Sequence, residues 1–136
     1  PIFADESCGT SADIAALGDV VHGVNIKLEK CGGYREALRA VRAAQTQEPT
    51  PLLVWIGVMV GSTLNSSLAA QLLPAASFGG DLDGWCLVDP LSDFFEGGFD
   101  VDHDSGLVTL NNTTNININN SIGGGSGVTL KQKVSQ

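Results

Sequence analysis

No window of about 18 residues in this 136-residue chain is uninterrupted by polar side chains, so no segment is suited to cross a bilayer as a helix. Basic residues are scarce. Seven Lys and Arg against 15 Asp and Glu give a formal charge of −8, a sign that repels a phosphate backbone and argues against a nucleic-acid partner. The excess carboxylates leave room for a bound cation. Cysteine is sparse and unclustered: Cys8, Cys31 and Cys86 form no CxxC pair, whereas zinc needs ligands at short spacings. The three read as buried small apolar residues of a reducing, cytoplasmic compartment. A secretory signal is missing, and the chain opens at Pro1 without an initiator methionine, from which we expect a processed product or a piece of a longer chain. What is present is 43% apolar residue in a chain of single-domain length, enough to bury a core.

The order of elements reads strand, helix, strand, helix, strand, helix, strand. Pro1-Ile2-Phe3-Ala4 is a short apolar strand ending in Asp5 and Glu6, and Ser11 serves as N-cap for a helix to about Leu17. Val24 to Leu28 is the next strand. Gly32-Gly33 breaks the chain before a helix from Tyr34 to Gln45, whose Ala37, Leu38, Val41 and Ala44 repeat at helical spacing. Leu52 to Val60 is apolar throughout and predicts a strand buried on both faces. A helix capped at Ser62 or Asn65 runs to about Leu73, and a last strand lies near Ser77 to Leu87. Beyond Asp89 the texture changes. Phe94 to Leu110 predicts irregular chain and a β-hairpin, and Asn111 to Gly127 an Asn- and Gly-rich insertion in which Asn115 to Asn119 alternates as an edge strand would.

Strands alternating with helices mean parallel βα units, compatible with an open doubly wound sheet or with half of a (β/α)8 barrel. Asp5, Lys27 and Asp81 all fall at C-terminal strand ends, the rim where barrel enzymes keep their chemistry. Taken alone, each has a plainer reading: Asp5-Glu6 as a turn and helix-cap device, Lys27 as a surface lysine of an edge strand, Asp81 and Asp83 as an Asp-Gly turn. Glu29 and Lys30 read as a solvated loop pair.

At these strand ends the sequence resembles the enolase superfamily, in its muconate-lactonizing subgroup, and most of all the dipeptide epimerases. Four segments carry the resemblance in order: Pro1 to Ser7, Val24-Asn25-Ile26-Lys27-Leu28 with Gly32-Gly33, Gly57-Val58-Met59-Val60-Gly61-Ser62, and Gly79-Gly80-Asp81-Leu82-Asp83-Gly84. The resemblance implies an α/β fold, the C-terminal half of a modified TIM-type barrel (strands five to eight with their helices), over residues 1–90. Residues 91–136 would form a β-rich C-terminal extension. It also implies an isomerase that abstracts the proton α to a carboxylate through a Mg2+-stabilised enediolate, a pattern in which a lysine base works beside the metal.

Residue by residue, the resemblance makes Asp5 a metal ligand, Glu6 a neighbour of the site behind it, and Lys27 the acid/base lysine. Asp81 and Asp83 would hold the α-ammonium group of a dipeptide, and Gly57, Met59 and Ser62 would line the pocket. A cycloisomerase, an N-acyl amino acid racemase or an o-succinylbenzoate synthase stays open within the same superfamily, and a non-catalytic half-barrel acting as a binding or assembly module stays open outside it. The family's two other carboxylate ligands, from its third and fourth strands, the Lys-x-Lys motif of its second strand and its capping domain have no counterpart in this sequence. We therefore expect a second polypeptide or chain segment to supply the capping domain and the first half of the barrel. The isolated chain should be inactive and the complete enzyme a homo-oligomer.

Weaker signals fail. Asp100 to Gly106 begins like a calcium loop, but its glycine comes one place late and its twelfth position is Asn111. Gly123 to Gly127 precedes no helix and is no dinucleotide fingerprint. His22 and His103 lack partners for a triad, and the sequons at Asn65, Asn111, Asn112 and Asn119 read as accidents of composition.

Overall fold

The computed structural model describes residues 1–110 and 128–131. The expectations for 111–127, namely the edge strand at 115–119, three of the sequons and the glycine run, lie outside the described residues.

Four parallel strands, β1 (Phe3–Ala4), β2 (Gly23–Lys27), β3 (Leu53–Gly57) and β4 (Gly79–Gly80), form one sheet in the order β1-β2-β3-β4. Ala4 lies opposite Val24, Asn25 opposite Trp55, Lys27 opposite Gly57, and Trp55 opposite Gly79. A sheet of sequential parallel strands joined by helical crossovers matches the half-barrel expectation. The fourth strand is far shorter than expected from Ser77 to Leu87: only Gly79 and Gly80 pair, and Asp83–Leu87 winds into a 3-10 helix. Gly80 fits there because a Cβ would overlap the Ile56 carbonyl oxygen.

The helices follow the sequence with adjustments. The first is a 3-10 turn, Ser11–Asp13, leading into α1 (Ile14–Leu17), and its N-cap is Thr10 rather than Ser11, because Thr10 and Asp13 bond reciprocally. A single helical turn, α2 (Leu28–Cys31), follows β2 and ends at Gly32, whose left-handed φ of 80° lets its N–H reach the Leu28 carbonyl. The chain then enters α3 (Tyr34–Gln45) as expected. After β3 comes α4 (Thr63–Ala70), which stops short of Leu73 and gives way to a 3-10 turn at Leu73–Ala75 containing Pro74.

Strand alternation decides the core. Ala4, Val24, Ile26, Val54 and Ile56 are buried on one sheet face with Ala37, Ala40, Val41 and Ala44 of α3, Ile14 of α1, and Ala69 and Leu72. Leu38 was expected in this face but is 49% exposed, and Ala40 takes its place, because 3.6-residue periodicity turns position 38 outward. The other sheet face carries Phe3, Asn25 and Trp55. Contrary to expectation, β3 is not buried on both faces: Leu53 and Trp55 are only half-buried. The Phe3, Trp55 and Phe78 rings pack against one another with centroids 5.1 to 6.2 Å apart, beside an open cavity of about 350 Å³ lined by Pro1, Phe3, Asn25, Trp55 and Phe78.

Past the sheet, β5 (Phe95–Gly97) pairs antiparallel with β8 (Val128–Leu130), and β6 (Phe99–Asp102) with β7 (Leu107–Leu110) in the expected hairpin. The calcium-like segment is its turn, with Asp102 accepting bonds from Asp104 and Ser105. Asp93 ties this region to the barrel half by accepting from the Thr63 N–H at 2.7 Å and the Thr63 hydroxyl at 2.6 Å, at the N-terminus of α4. The three thiols are free, but only Cys8 is buried; Cys31 is half-buried and Cys86, in the 3-10 helix, is exposed, so the expectation of three buried cysteines holds for one. Among the described residues no helix is long and apolar enough to cross a membrane.

Candidate active site

The strands deliver their ends to one rim. Asp5 follows the last residue of β1, and Lys27 is the last residue of β2, with its side chain on the same face as Asn25. The Lys27 ammonium lies 3.1 Å from Asp5 Oδ2, on a side chain only 12% exposed. Its Nζ also lies 3.7 Å from the Met59 sulfur, which reaches over from the loop after β3. Gly57, opposite Lys27 in the register, leaves space for the Asn25 amide, which a Cβ there would overlap.

The pair expected as solvated loop residues is instead part of this rim. Lys30 stands one helical turn beyond Lys27 on α2, and its Nζ donates to Asp5 Oδ1 at 2.6 Å, to the Asp5 carbonyl and to the Asn25 carbonyl. Glu29 Oε1 accepts from the Met59 N–H at 3.3 Å and from Asn65 Nδ2 at 3.1 Å, which joins α2 to the loop after β3 and to α4. The physical reason is α2 itself: a helical turn directly after the strand folds Lys30 back over the rim, whereas Glu29 bonds across to the next loop and stays exposed to solvent as expected.

Asp5 is thus bonded on both oxygens while its side chain stays 37% exposed. Lys30 holds Oδ1, and Lys27 together with Asn25 Nδ2 (3.2 Å) holds Oδ2. Burial pushes the Asp5 carboxyl upward, but hydrogen bonds and charge from Lys30 and Lys27 outweigh it and hold its pKa below the usual carboxylate value. Asn25 Oδ1 is buried with no hydrogen-bond partner among the described residues.

On the far side of the rim, the Asp81 backbone N–H donates to the Ile56 carbonyl, and its Oδ2 accepts from the Trp55 indole N–H at 3.0 Å. Asp83 opens the 3-10 helix two residues on and is exposed. The next residue, Gly84, packs so close to the Met59 carbonyl that a Cβ would overlap it. Ser62 occupies the N-cap position of α4, although Asp93 rather than its own hydroxyl serves the first turn. Glu6 is exposed in the turn after β1 and makes no side-chain hydrogen bond among the described residues.

The structure therefore brings Asp5, Lys27 and Met59 into contact with Gly57 beside them, sets Asp81 on the same rim through Trp55, and leaves Glu6, Asp83 and Ser62 without a bond to that group. Sequence reasoning missed Lys30, Asn25, Glu29 and Trp55 as members of the rim. A signal existed for Asn25, which shares a strand face with Lys27 two residues on. None existed for Trp55, whose donor role depends on where β4 turns.

Among the described residues there is no group of three or more His, Cys, Asp or Glu side chains that could hold a metal ion. Asp5 fits as one hard oxygen ligand for a divalent cation, but a full Mg2+ shell needs further oxygen donors.

No family model matches the chain. It is 47% identical over 132 residues to an enolase superfamily member of Dictyostelium discoideum, covering 96% of this chain and 28% of that protein. It is 37% identical over 134 residues to an L-Ala-D/L-amino acid epimerase of Maribacter sp., covering 97% and 34%. The crystal structure of a dipeptide epimerase from Cytophaga hutchinsonii, complexed with Mg and the dipeptide D-Ala-L-Val, superposes with a TM-score of 0.78 at 25% identity, over 98% of this chain and 33% of that one. The chain thus spans about a third of the length of the relatives it matches. In sequence and in fold it belongs to the enolase superfamily, with dipeptide epimerases among its relatives, and its parallel α/β sheet is consistent with half of their barrel.

Proposed function

We propose that this chain supplies half of the active site of a Mg2+-dependent epimerase that removes and returns the proton α to a carboxylate, with a dipeptide as substrate. Lys27 exchanges the proton on one face of the α-carbon. Its place at the end of β2, on the rim beside Asp5 and with its side chain 12% exposed, supports that role. Asp5 is one metal ligand, Asp81 and Asp83 receive the substrate ammonium, and Gly57, Met59 and Ser62 border the pocket. Glu6 stands behind Asp5. When bound, Mg2+ supplies positive charge against the negative charge that develops on the substrate carboxylate as the proton leaves.

The single observation that carries this reading is the 3.1 Å approach of Lys27 to Asp5 at neighbouring strand ends. Residues 1–90 form the barrel half and 91–136 its extension. A second polypeptide or segment brings the capping domain and the first four strands; the chain's one-third share of its relatives and the half-exposed aromatic face of the sheet support this. The isolated chain is inactive, and the complete enzyme is a homo-oligomer. Three free thiols support a cytoplasmic setting.

The test is α-proton exchange from a panel of dipeptides in deuterated water, with Mg2+ and the complete protein. Lys27→Ala should abolish exchange from one substrate epimer and leave some from the other. Equal exchange from both epimers in that variant would remove Lys27 from the mechanism. A non-catalytic assembly module is the second reading, supported by the aromatic face of the sheet, whose Phe78 is 47% exposed. It wins if the companion segment carries neither Lys-x-Lys nor acids at its strand ends.

A further inference from the structure

The contact between Trp55 and Asp81 is not needed to build the sheet, and it links the interior of the barrel half to its rim. Trp55 points from β3 onto the inner face, level with Asn25 and Gly79. Its ring is wedged against Phe3 (centroids 6.2 Å apart, planes at 65°) and Phe78 (6.0 Å). An indole held on two sides has little freedom, so its N–H is a fixed donor, and that donor meets Asp81 Oδ2 at 3.0 Å. Phenylalanine or leucine would fill the same apolar space without the donor. Asp81 is otherwise exposed, and an exposed carboxylate with no such tether samples several rotamers.

We infer that Trp55 is a positioning residue for substrate recognition. It pins one oxygen of Asp81 and turns the other, Oδ1, toward the mouth as the acceptor for a ligand's primary ammonium group. The inference rests on the reading of Asp81 as the ammonium site. The class of ligand it selects is an amine-terminated one, and the energy it contributes is the ordering of Asp81 before the ligand arrives.

The test compares Trp55→Phe and Asp81→Ala in the complete protein, with an unblocked dipeptide as substrate. Trp55→Phe, which keeps a ring in the wedge, should raise KM about ten-fold, the order expected when a hydrogen bond to a charged group is lost, and leave kcat within about two-fold. A loss confined to kcat would overturn the inference. If Asp81→Ala raises KM and Trp55→Phe does not, the inference falls and the reading of Asp81 stands. If Asp81→Ala leaves KM unchanged, both fall. A second measurement is independent of activity and of how Trp55→Phe folds. In protein labelled with 15N and 13C, the indole resonance sequentially assigned to Trp55 should move when Asp81 becomes Ala. An unmoved resonance would overturn the hydrogen bond and the inference with it.

Discussion

Replacing Lys30 with methionine isolates what the missed lysine does. Methionine keeps most of the apolar stem of a side chain that is 11% exposed and removes the ammonium, which donates to the Asp5 carboxylate, the Asp5 carbonyl and the Asn25 carbonyl. Hydrogen bonds involving a charged group are worth about 1.5–3 kcal/mol each, and the three share one donor and are not additive. The Asp5 side chain is 37% exposed, so water recovers part of its share. The net cost should be about 2–4 kcal/mol, read as a fall of about 1–2 M in the urea midpoint of the full chain at pH 7. The pH dependence separates the carboxylate bond from the two carbonyl bonds. Because Asp5 titrates below its usual value in the folded chain, its contribution is complete above the ordinary carboxylate range and is lost as pH falls through the lowered folded value. The gap between wild type and Lys30→Met should therefore narrow as the solution is acidified below about pH 4, without closing, since the carbonyl bonds do not titrate. A variant within about 0.5 kcal/mol of wild type at pH 7, or a gap constant from pH 7 down to pH 3, would refute the assignment.

Asp93→Ala removes the carboxylate that accepts from the Thr63 N–H and hydroxyl, and should cost about 1–2 kcal/mol in thermal unfolding; no loss would mean that α4 needs no cap from the extension. Glu36 accepts from the Ser11 hydroxyl and N–H and pairs with Arg39 at 3.1 Å, which together lower its pKa from 4.5 to about 2. Its stabilising effect is thus present above pH 4.5 and fades between there and about 2. Carboxyl 13C titration should show that low midpoint, and Ser11→Ala should raise it; a midpoint already near 4.5 in the wild type would contradict the geometry.

Much of the architecture was legible in the chain. Tyr34 to Gln45 announces a helix by its spacing, and it forms over those residues. Ile26 and Lys27 fall on opposite faces because a strand alternates, so the sequence placed a lysine at a strand's polar end with no need of coordinates. The fourth strand failed because Val, Ile and aromatic content says nothing of where pairing ends, and here it ends where two glycines give way to Asp81.

By itself, the sequence determined the βα order, the core stripe of α3 and the acidic and basic groups at strand ends, all of which depend on local periodicity. Only the tertiary structure decided that Lys30 grips Asp5, that Glu29 holds the Met59 loop and that an indole reaches Asp81. Those contacts join residues 25 to 30 positions apart, and their distances are set by strand register and by the single turn of α2, neither of which is encoded within any one segment.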